Sequence, residues 1–564
     1  MNSFISILSS FKWFTEIQIT LFVLNACLLI WYLIPHKKKF KIIDYLPSVG
    51  MIIASVGIFL GDKSLLGISL YFLTIVLFLS TLKNLFKHKN KEDKLFLRVI
   101  KSILSLVGMG IMTIALMSAG QLRYNPKSDF SEKTYSESFH LLNERMKKEY
   151  PFGQLKKVDW DDLENKYLPL MKKAEETKNQ SLYYKTLRDY LYSFRDSHIE
   201  IVNDDLFTNN PIFKDEVGGG FGISTIKLDD GKVMVSDLIK DSPADRNGIK
   251  LGAEIVSWGN ESAKEVYENI TWSEVAMTTK NDQNYYKGRF MARAKNGENV
   301  SIKFKNPNEE NVQEKVVTAY DDNFESLKRT RVKPKESQSP IESKILENNY
   351  GYIKIRYFLS NDKVKDPVEF FSNELKSFHD KNVKGIIIDL RDNPGGEDEM
   401  VVGMASQLAD ENRLYEYVSY YNHNTKKFEI NNEETYKIKA KNPSYKGNIA
   451  VLINNRTISS GEGLPLALKG MKNVNIIGFS STNGSFGVVT SPIKVKMPEG
   501  YNIQIPDGRS LDQYKKVQVD TDANGNGGVS PDSLIPLNED TFFKKYVDKK
   551  DVEMEYAIKY LDKN

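Results

Sequence analysis

Hydrophobic residues are distributed unevenly along this chain, because four long apolar segments precede a body in which short apolar runs alternate with charged stretches. The segments span residues 17–34, 46–60, 65–82 and 97–117. All but the second reach the ~20 residues that a helix needs to cross a bilayer, and the second is short and contains Gly50 and Gly57. The pattern predicts an all-α membrane region over residues 1–120 with about four transmembrane helices.

The loops between these segments predict their orientation. Residues 36–41 (HKKKFK) and 83–101 are rich in lysine, whereas the connection at 61–64 is minimal. Basic loops stay in the cytoplasm, so both termini and the polar body from about Gln121 onward are predicted to lie outside it. Residues 1–16 lack the charged start and short apolar run of a cleaved signal peptide. We therefore expect a multi-pass protein of the cell membrane, with lipid as one partner.

Apolar positions recur at three- and four-residue spacing from residue 130 to residue 196, which predicts helices and a small helical bundle over residues 121–203. The bundle ends in Asp196-Ser197-His198, and residues 199–202 then alternate as a strand does. A lone histidine is more often structural or simply exposed. His198, however, lies at a helix-to-strand junction beside two hydrogen-bonding neighbours, Asp196 and Ser197, so it is a candidate catalytic base.

Short strands with glycine-rich turns are predicted next, at 217–226 (VGGGFGISTI), 232–238 and 254–258. With SPA at 242–244 and GIKLG at 248–252, residues 217–320 resemble a PDZ domain, and strands near 299–304 and 314–319 complete it. The resemblance implies that a peptide adds to a sheet edge while backbone N–H groups hold its terminal carboxylate. The peptide-binding residues it implies are Gly220, Phe221, Gly222 and Ile223. A glycine-rich hairpin without a ligand is the alternative.

From residue 345 to residue 545 the pattern changes to α/β, followed by a C-terminal helix over 546–564. Residues 383–390 (VKGIIIDL) form a continuous apolar run typical of a strand buried on both faces. It leads into Asn393-Pro394-Gly395-Gly396, and a glycine pair at a strand end lets backbone N–H groups approach a ligand closely. An ordinary glycine turn before the next helix is the alternative.

The run at 449–453 predicts a second buried strand, followed at once by a helix. Thr457, Ser459 and Ser460 are possible N-caps, Glu462 is placed as in a capping box with Ser459, and Pro465 is expected in the first turn. A serine on such a turn presents its hydroxyl where helix N–H groups favour developing negative charge. Ser459 is therefore either an ordinary cap or a nucleophile.

Composition narrows the function classes. The chain has 78 Lys and Arg against 74 Asp and Glu and no basic, aromatic-interleaved patch, so nothing indicates nucleic-acid binding. The single cysteine, Cys27, lies in an apolar segment, which excludes a disulfide framework and a cysteine metal site. Residues 520–525 (DTDANG) match the start of a calcium loop, but Pro531 stands where the bidentate glutamate belongs. We predict a surface turn, no metal and no cofactor.

Taken together, Ser197-His198 before the PDZ-like insert, IIIDLRDNPGG, NNRTISSGE, IIGFSSTNGSFG and GGVSPD resemble the tail-specific, or C-terminal-processing, serine peptidases. The resemblance covers about residues 130–545 and implies a ClpP/crotonase-like α/β peptidase core. It implies that Ser459 is the nucleophile. It also implies that the N–H groups of Gly395 or Gly396 and of Ser460 form the oxyanion hole.

One position departs from that family, because Ser485 stands where its lysine base belongs. Asp196-Ser197-His198 instead resembles the tricorn-protease branch, in which a serine–histidine pair precedes the PDZ insert and the histidine is the base. The implied catalytic residues are then His198 and Ser197. The resemblance implies an acidic partner for His198 at Asp520 or Asp522, and Asp522 is the predicted one. Four nearby lysines are predicted to stay solvated and protonated, and so are not bases: Lys469, Lys472, Lys494 and Lys496.

The predicted architecture is therefore an α/β peptidase core with an N-terminal helical bundle, an inserted PDZ-like β domain and an all-α transmembrane region. The predicted function is that of a membrane-anchored serine endopeptidase. It would cleave protein or peptide substrates by acyl transfer outside the cytoplasm. A non-catalytic peptide-binding protein or a membrane sensor on the same fold is the alternative.

Overall fold

The computed structural model describes residues 127–202, 204–208, 210–332, 334–335, 337–423, 425–441 and 445–563. Residues Pro126–Asn564 form one compact unit. The four predicted transmembrane segments lie outside the described residues. Within the described ranges, no helix combines the length and apolar character needed to cross a bilayer.

Helices and strands alternate along this unit. The helices are α1 Tyr135–Glu149, α2 Trp160–Glu176, α3 Gln180–Ser193, α4 Pro211–Val217, α5 Pro243–Arg246, α6 Ala263–Glu268, α7 Lys280–Met291, α8 Glu325–Thr330, α9 Pro367–Asp380, α10 Asp398–Leu408, α11 Ser460–Leu468, α12 Glu539–Phe542 and α13 Val552–Lys563. The first strands are β1 Lys127–Asp129, β2 Glu200–Ile201, β3 Gly219–Gly220, β4 Ile223–Lys227, β5 Val233–Leu238, β6 Glu254–Trp258, β7 Glu261–Ser262, β8 Arg293–Ala294, β9 Asn299–Lys305, β10 Gln313–Thr318 and β11 Tyr320–Asp321. The later strands are β12 Ile341–Ile345, β13 Gly351–Ile355, β14 Ile386–Asp389, β15 Arg413–Asn422, β16 Lys427–Ile438, β17 Ile449–Leu452, β18 Val474–Gly478, β19 Ile493–Lys496, β20 Asn502–Ile505, β21 Gly508–Leu511 and β22 Ser533–Leu534.

The predicted helical bundle is confirmed by α1, α2 and α3. Each of these helices begins at a side-chain cap, Thr134, Asp159 or Asn179, whose oxygen accepts a backbone N–H of the first turn. Their apolar faces enclose a fully buried aromatic core that includes Phe139 and Tyr190, and this core continues into a small sheet ordered β1-β19-β20-β2. The sheet fixes the segment after His198, because β2 pairs with β20.

The inserted β domain, residues 217–321, is built on a sheet ordered β10-β9-β6-β5-β4, with β7 paired to β6. The strands expected at 232–238, 254–258, 299–304 and 314–319 are confirmed as β5, β6, β9 and β10. The expected first strand differs, because Val217 ends α4 and only the short strands β3 and β4 follow. The PDZ-like identity of the domain stays a prediction.

The core sheet has the order β12-β13-β14-β17-β18-β22 and is parallel except for the β12–β13 pair. Side chains of β14 and β17 are buried on both faces, one against the cluster that includes α9 and α10 and the other against α13. Such two-sided burial explains the continuous apolar runs in the sequence. Because β14 and β17 are parallel neighbours, the turns at their carboxyl ends lie at the same edge of the sheet.

Candidate active site

The turn that carries Ser459 connects β17 to α11. Ser459 has φ 56° and ψ −136°, a left-handed conformation that is costly for a residue with a Cβ. Its side chain makes no capping hydrogen bond, so the predicted capping box is wrong. The Glu462 carboxylate instead accepts the N–H of Gly484, at 2.6 Å to Oε1 and 3.2 Å to Oε2. Pro465 lies inside α11 rather than in its first turn. The Ser459 hydroxyl is thus not engaged as a helix cap.

Two glycines of the turn after β14 lie against the Ser459 turn. A Cβ on Gly395, which has φ +104°, would lie 2.8 Å from the Ser459 Cβ and 3.0 Å from the Ser460 nitrogen. A Cβ on Gly396, which has φ +144°, would lie 2.2 Å from the carbonyl oxygen of Phe358. Only glycine fits at either position without displacing backbone. The glycine pair is therefore what lets the two turns approach each other.

The backbone N–H groups where these two turns meet differ in whether they donate a hydrogen bond. The Gly395 N–H donates to Oδ1 of Asn393 at 2.8 Å. In the described part of the chain, the N–H groups of Gly396 and Ser460 have no hydrogen-bond acceptor. Both residues line one cavity with Ser459, and Ser460 opens α11, where the helix dipole favours negative charge. Of the predicted oxyanion donors, Gly396 and Ser460 are the two that are free.

Ser485 connects the Ser459 turn to the Ser197-His198 segment. Its carbonyl oxygen accepts the Ser459 N–H at 3.0 Å, and its Oγ accepts the Ser197 N–H at 3.1 Å. The Ser197 hydroxyl donates to Oδ1 of Asn483 at 2.9 Å. Ser485, which is fully buried, thus links the turn that carries Ser459 to the segment that carries Ser197 and His198.

His198 is partly buried, with its side chain 12% exposed, and lies beside a carboxylate. Its Nδ1 lies 3.7 Å from Oδ1 of Asp196, and its backbone N–H donates to the same oxygen at 3.0 Å. Burial lowers the pKa of His198, and the charge of Asp196 opposes that shift. The imidazole is therefore neutral, as a base must be, at neutral pH.

Asp522, the predicted acidic partner, contacts its own turn. Its carboxylate accepts the N–H of Asn524 at 2.8 Å and the N–H of Asn526 at 2.9 Å, and these bonds lower its pKa. Among the described residues, no hydrogen bond or ion pair joins it to His198. The acid that the structure places beside His198 is Asp196, which also accepts a hydrogen bond from the Tyr150 hydroxyl at 2.9 Å.

Sequence reasoning missed a partly buried lysine close to Asp196, Lys156. The Nζ of Lys156 donates to the carbonyl oxygens of Arg195 and Thr521, at 3.1 Å and 2.8 Å. Burial lowers the pKa of Lys156, and the charges of Asp196 and Asp520 oppose the shift. Burial also raises the pKa of Asp520, whose Oδ1 accepts the Phe486 N–H at 3.1 Å. In the sequence, Lys156 is one of two adjacent lysines in a polar stretch, and no spacing marks it.

Two of the four lysines considered as alternative bases lie in surface ion pairs. Lys469 pairs with Asp532 at 2.6 Å, and Lys496 pairs with Asp129 at 3.3 Å. In β19, the side chains of Lys494 and Lys496 are exposed whereas those of Ile493 and Val495 are buried, as the alternation predicted.

The inserted β domain reaches the loops around Ser459. Asn455, four residues before Ser459, donates from Nδ2 to Oδ1 of Asp282 at 3.1 Å. The Thr278 hydroxyl donates to the carbonyl oxygen of Asn483 at 2.5 Å. Asp282 is fully buried, and burial raises its pKa to about 6. The segment that begins α7 therefore holds both loops that position Ser459 and Ser197.

The predicted peptide-binding residues are buried within that domain. Gly220 belongs to β3, which lies between β8 and β11, and Gly222 lies against Ser242, which a Cβ on Gly222 would meet at 2.1 Å. The free edge of β4, which begins at Ile223, is covered by α7, where the Thr225 hydroxyl donates to the Gly288 carbonyl oxygen at 2.9 Å. Phe221 packs edge-on against Trp258. α7 therefore packs directly on β4.

Part of this chain is similar to a known family of peptidases. Residues 349–535 match the model of Peptidase family S41. The chain is 26% identical over 297 residues to the carboxy-terminal processing protease CtpB of Bacillus subtilis (strain 168), covering 52% of each chain. It is 32% identical over 197 residues to the nisin-resistance protein of Lactococcus lactis subsp. lactis, covering 33% of this chain and 59% of that protein. The chain spans about half the length of these curated relatives.

Solved structures agree on the fold. The structure of mature CPAF complexed with lactacystin aligns with a TM-score of 0.52 at 14% identity, over 77% of this chain and 99% of that one. The predicted similarity to the C-terminal-processing serine peptidases is therefore confirmed, with an S41 peptidase fold of mixed α/β sheets. The predicted enzyme class, a serine-type peptidase, is confirmed at the level of that family.

Proposed function

We propose that this chain is a membrane-anchored serine endopeptidase that cleaves protein or peptide substrates by acyl transfer outside the cytoplasm. Ser459 is the nucleophile, His198 its general base, and the N–H groups of Gly396 and Ser460 the oxyanion hole. The proposal extends the family assignment, which covers residues 349–535, to residues and a location that the assignment does not itself include.

The observation that carries the proposal is the strained backbone conformation of Ser459. A serine held at φ 56° between a buried strand and a helix, with its hydroxyl not used for capping, accepts strain that an ordinary cap does not need. Strain of this kind, about 1–3 kcal/mol, persists at functional sites because the surrounding structure enforces it. Here the enforcing contacts are the Gly395 approach and the hydrogen bond to Ser485.

The chemistry follows from these positions. The Ser459 Oγ attacks the carbonyl carbon of the scissile peptide while His198 takes its proton, and the carbonyl oxygen becomes an oxyanion stabilised by two backbone N–H groups. The protonated imidazole then gives its proton to the leaving amine, and water hydrolyses the acyl-enzyme by the same steps. Asp196, 3.7 Å from Nδ1, stabilises the imidazolium and leaves the other ring nitrogen to exchange the proton.

The location rests on the sequence alone. The lysine-rich loops at 36–41 and 83–101 alternate with a minimal loop at 61–64, which supports an arrangement with the body outside the cytoplasm. A serine–histidine site has no need of a reducing or nucleotide-rich compartment, so the chemistry is compatible with that side of the membrane.

Capture of a substrate C-terminus by Gly220–Ile223 is a further part of the proposal. The PDZ-like pattern of these residues supports it, although α7 covers the edge of β4. Peptide addition therefore requires α7 to separate from Thr225. Because α7 begins at the segment that holds Asn455 and Asn483, peptide binding there would act on the Ser459 turn as well.

A fluorophosphonate probe tests the catalytic proposal without knowledge of the substrate. The purified full-length chain should react at Ser459, and Ser459→Ala should remove the label while leaving the unfolding temperature nearly unchanged. Ser460→Ala is the matched control and should still be labelled. If labelling of the Ser459→Ala variant equals that of the parent chain, the nucleophile is wrongly assigned. If the parent chain shows no labelling, the non-catalytic peptide-binding alternative is favoured.

A further inference from the structure

A cavity of about 160 Å³ opens beside Ser459, and it is lined by the turns around Ser459 and by the segment 486–490. One wall is formed by Gly396, Ser459 and Ser460 together with Asp398. The opposite wall is the segment 486–490, which contributes Phe486, Gly487, Val488, Val489 and Thr490. A side chain that enters this cavity from a peptide bound at Ser459 therefore meets both apolar groups and a carboxyl group.

Asp398 is the first residue of α10, so the glycine turn directly before it fixes its position. Its Oδ1 accepts a hydrogen bond from the Tyr415 hydroxyl at 2.9 Å. Tyr415 is itself held in place, because a Cβ on Gly463 of α11 would lie 1.9 Å from its hydroxyl oxygen. The carboxyl group is thus positioned by both helices that flank the nucleophile turn.

A second carboxyl group, that of Glu416, lies behind Asp398. Burial raises the pKa of Asp398 to about 6, and burial together with the charge of Asp398 raises the pKa of Glu416. The Oε1 of Glu416 is buried and has no hydrogen-bond partner among the described residues. Within the described residues, neither acid takes part in an ion pair, and the other charges acting on them are those of Glu399 and Glu434. The cavity is thus an acidic site without a cation of its own.

We propose that this cavity is the subsite for the substrate residue on the amino side of the scissile bond, and that it selects lysine or arginine there. This inference rests on the proposed function, because it needs Ser459 to be the nucleophile. The aliphatic part of such a side chain packs against Phe486, Val488 and Val489, while its cationic end reaches Asp398. Asp398 lines the cavity without an ion-pair partner among the described residues, and its carboxylate gives the site its preference for positive charge, since an incoming cation would pair with it.

The alternative is that both acids are protonated and therefore neutral, so that the cavity takes an uncharged side chain. Under that arrangement the charge of the ligand gives no advantage, and removing the carboxylate of Asp398 changes little. The two possibilities make opposite predictions for a pair of ligands that differ only in charge.

The test uses two diaryl phosphonate inhibitors, one with the side chain of lysine and one with that of norleucine, which differs chiefly in lacking the amino group. Each reacts with a nucleophilic serine, whose oxygen binds phosphorus as a phenol leaves with the proton. The second-order rate constant of labelling is measured on the purified full-length chain at pH 7.5. We expect the lysine compound to react at least about tenfold faster, as one desolvated charge pair implies. Asp398→Asn should bring the ratio of the two rate constants close to one.

Glu411→Gln is the matched control, because Glu411 follows α10, is exposed and does not act on either acid. It should keep the preference for the lysine compound. Asp398→Glu retains the charge and should keep the sign of the preference, and unfolding temperatures show that the variants are folded. A ratio near one in the parent chain overturns the proposal. So does reaction with a simple fluorophosphonate but with neither phosphonate. Absence of any reaction at Ser459 instead rejects the proposed function.

Discussion

The backbone N–H of Ser459 donates to the carbonyl oxygen of Ser485 at 3.0 Å. Ser485, the position where the sequence resemblance led us to expect a lysine base, therefore lies directly against the proposed nucleophile. Its own side chain faces the other way and accepts the Ser197 N–H at 3.1 Å. Ser485 is thus a connector between the proposed nucleophile turn and the segment that carries His198.

Ser485→Ala should weaken that connection. The buried Ser197 N–H loses its acceptor, which costs about 1–3 kcal/mol, while the carbonyl bond to Ser459 remains. We expect a lower unfolding temperature and slower turnover, with Ser459 still labelled by the probe. Ser491→Ala, a change on the same loop but outside this junction, serves as control. Turnover equal to that of the parent chain would show that the connection to Ser197 is irrelevant to catalysis.

His198 should set the acid limb of the pH–rate profile. Its ordinary pKa of 6.5 is lowered by burial, so activity should be full at pH 7 and fall only below pH 6.5 as the imidazole takes a proton. His198→Ala should lose activity by about 10³-fold or more. Normal turnover in that variant would assign the base to another group.

The pH–rate profile also shows whether Asp196 or Asp522 is the acidic partner of His198. Asp196→Asn removes the charge that holds the pKa of His198 up, so the acid limb should move to lower pH while kcat falls. Asp522→Asn should leave the limb in place, because that carboxylate is engaged by the amides of its own turn. A shift of the limb in Asp522→Asn would restore the partner expected from the sequence.

Gly395→Ala should remove activity by steric contact. The new Cβ lies 2.8 Å from the Ser459 Cβ and 3.0 Å from the Ser460 nitrogen, so the nucleophile turn must move. Gly470→Ala is matched in backbone, with φ +82° against φ +104°, but no atom lies within 4 Å of its Cβ. It should cost only about 1 kcal/mol in the free energy of unfolding. Probe labelling should fail in the first variant and persist in the second.

Lys156→Met should lower the free energy of unfolding by about 1–3 kcal/mol, because the carbonyl oxygens of Arg195 and Thr521 lose their donor and Asp520 loses a nearby positive charge. The double variant with Asp520→Asn should recover part of that loss. Lys157→Met is the control, since Lys157 is exposed. Chemical denaturation measures all of these effects, and additive losses in the double variant would show that Lys156 and Asp520 do not interact.

The proposed location predicts digestion of the body beyond Gln121 by protease added to intact cells. The loop at 87–94, on the cytoplasmic side of the predicted arrangement, should be spared. Disrupted cells, in which both regions are accessible, provide the control. Protection of the whole body in intact cells would reverse the predicted orientation.

Patterns of neighbouring residues in the sequence predicted the strands and helices of this fold better than the contacts between distant side chains. The apolar run before Ser459 and the glycine pair at 395–396 predicted two strands whose carboxyl ends carry functional turns, and both strands are present. The predicted capping box is absent because the Glu462 carboxylate accepts the N–H of Gly484 instead. Gly484 is distant from Ser459 in the sequence, so the local pattern does not reveal this contact. Lys156 and Asp398 were missed for the same reason, because their roles depend on burial against residues distant in the chain.

The bonds from Asp282 to Asn455 and from Thr278 to Asn483 also bear on how this protein can be divided. A truncated version that keeps the α/β core and omits residues 217–320 would retain Ser459 in sequence while losing the support of both loops beside it. The insertion therefore supports the proposed nucleophile turn and is not a removable accessory. Exchange of this domain between relatives should succeed only when residues 278–282 travel with the loops they hold.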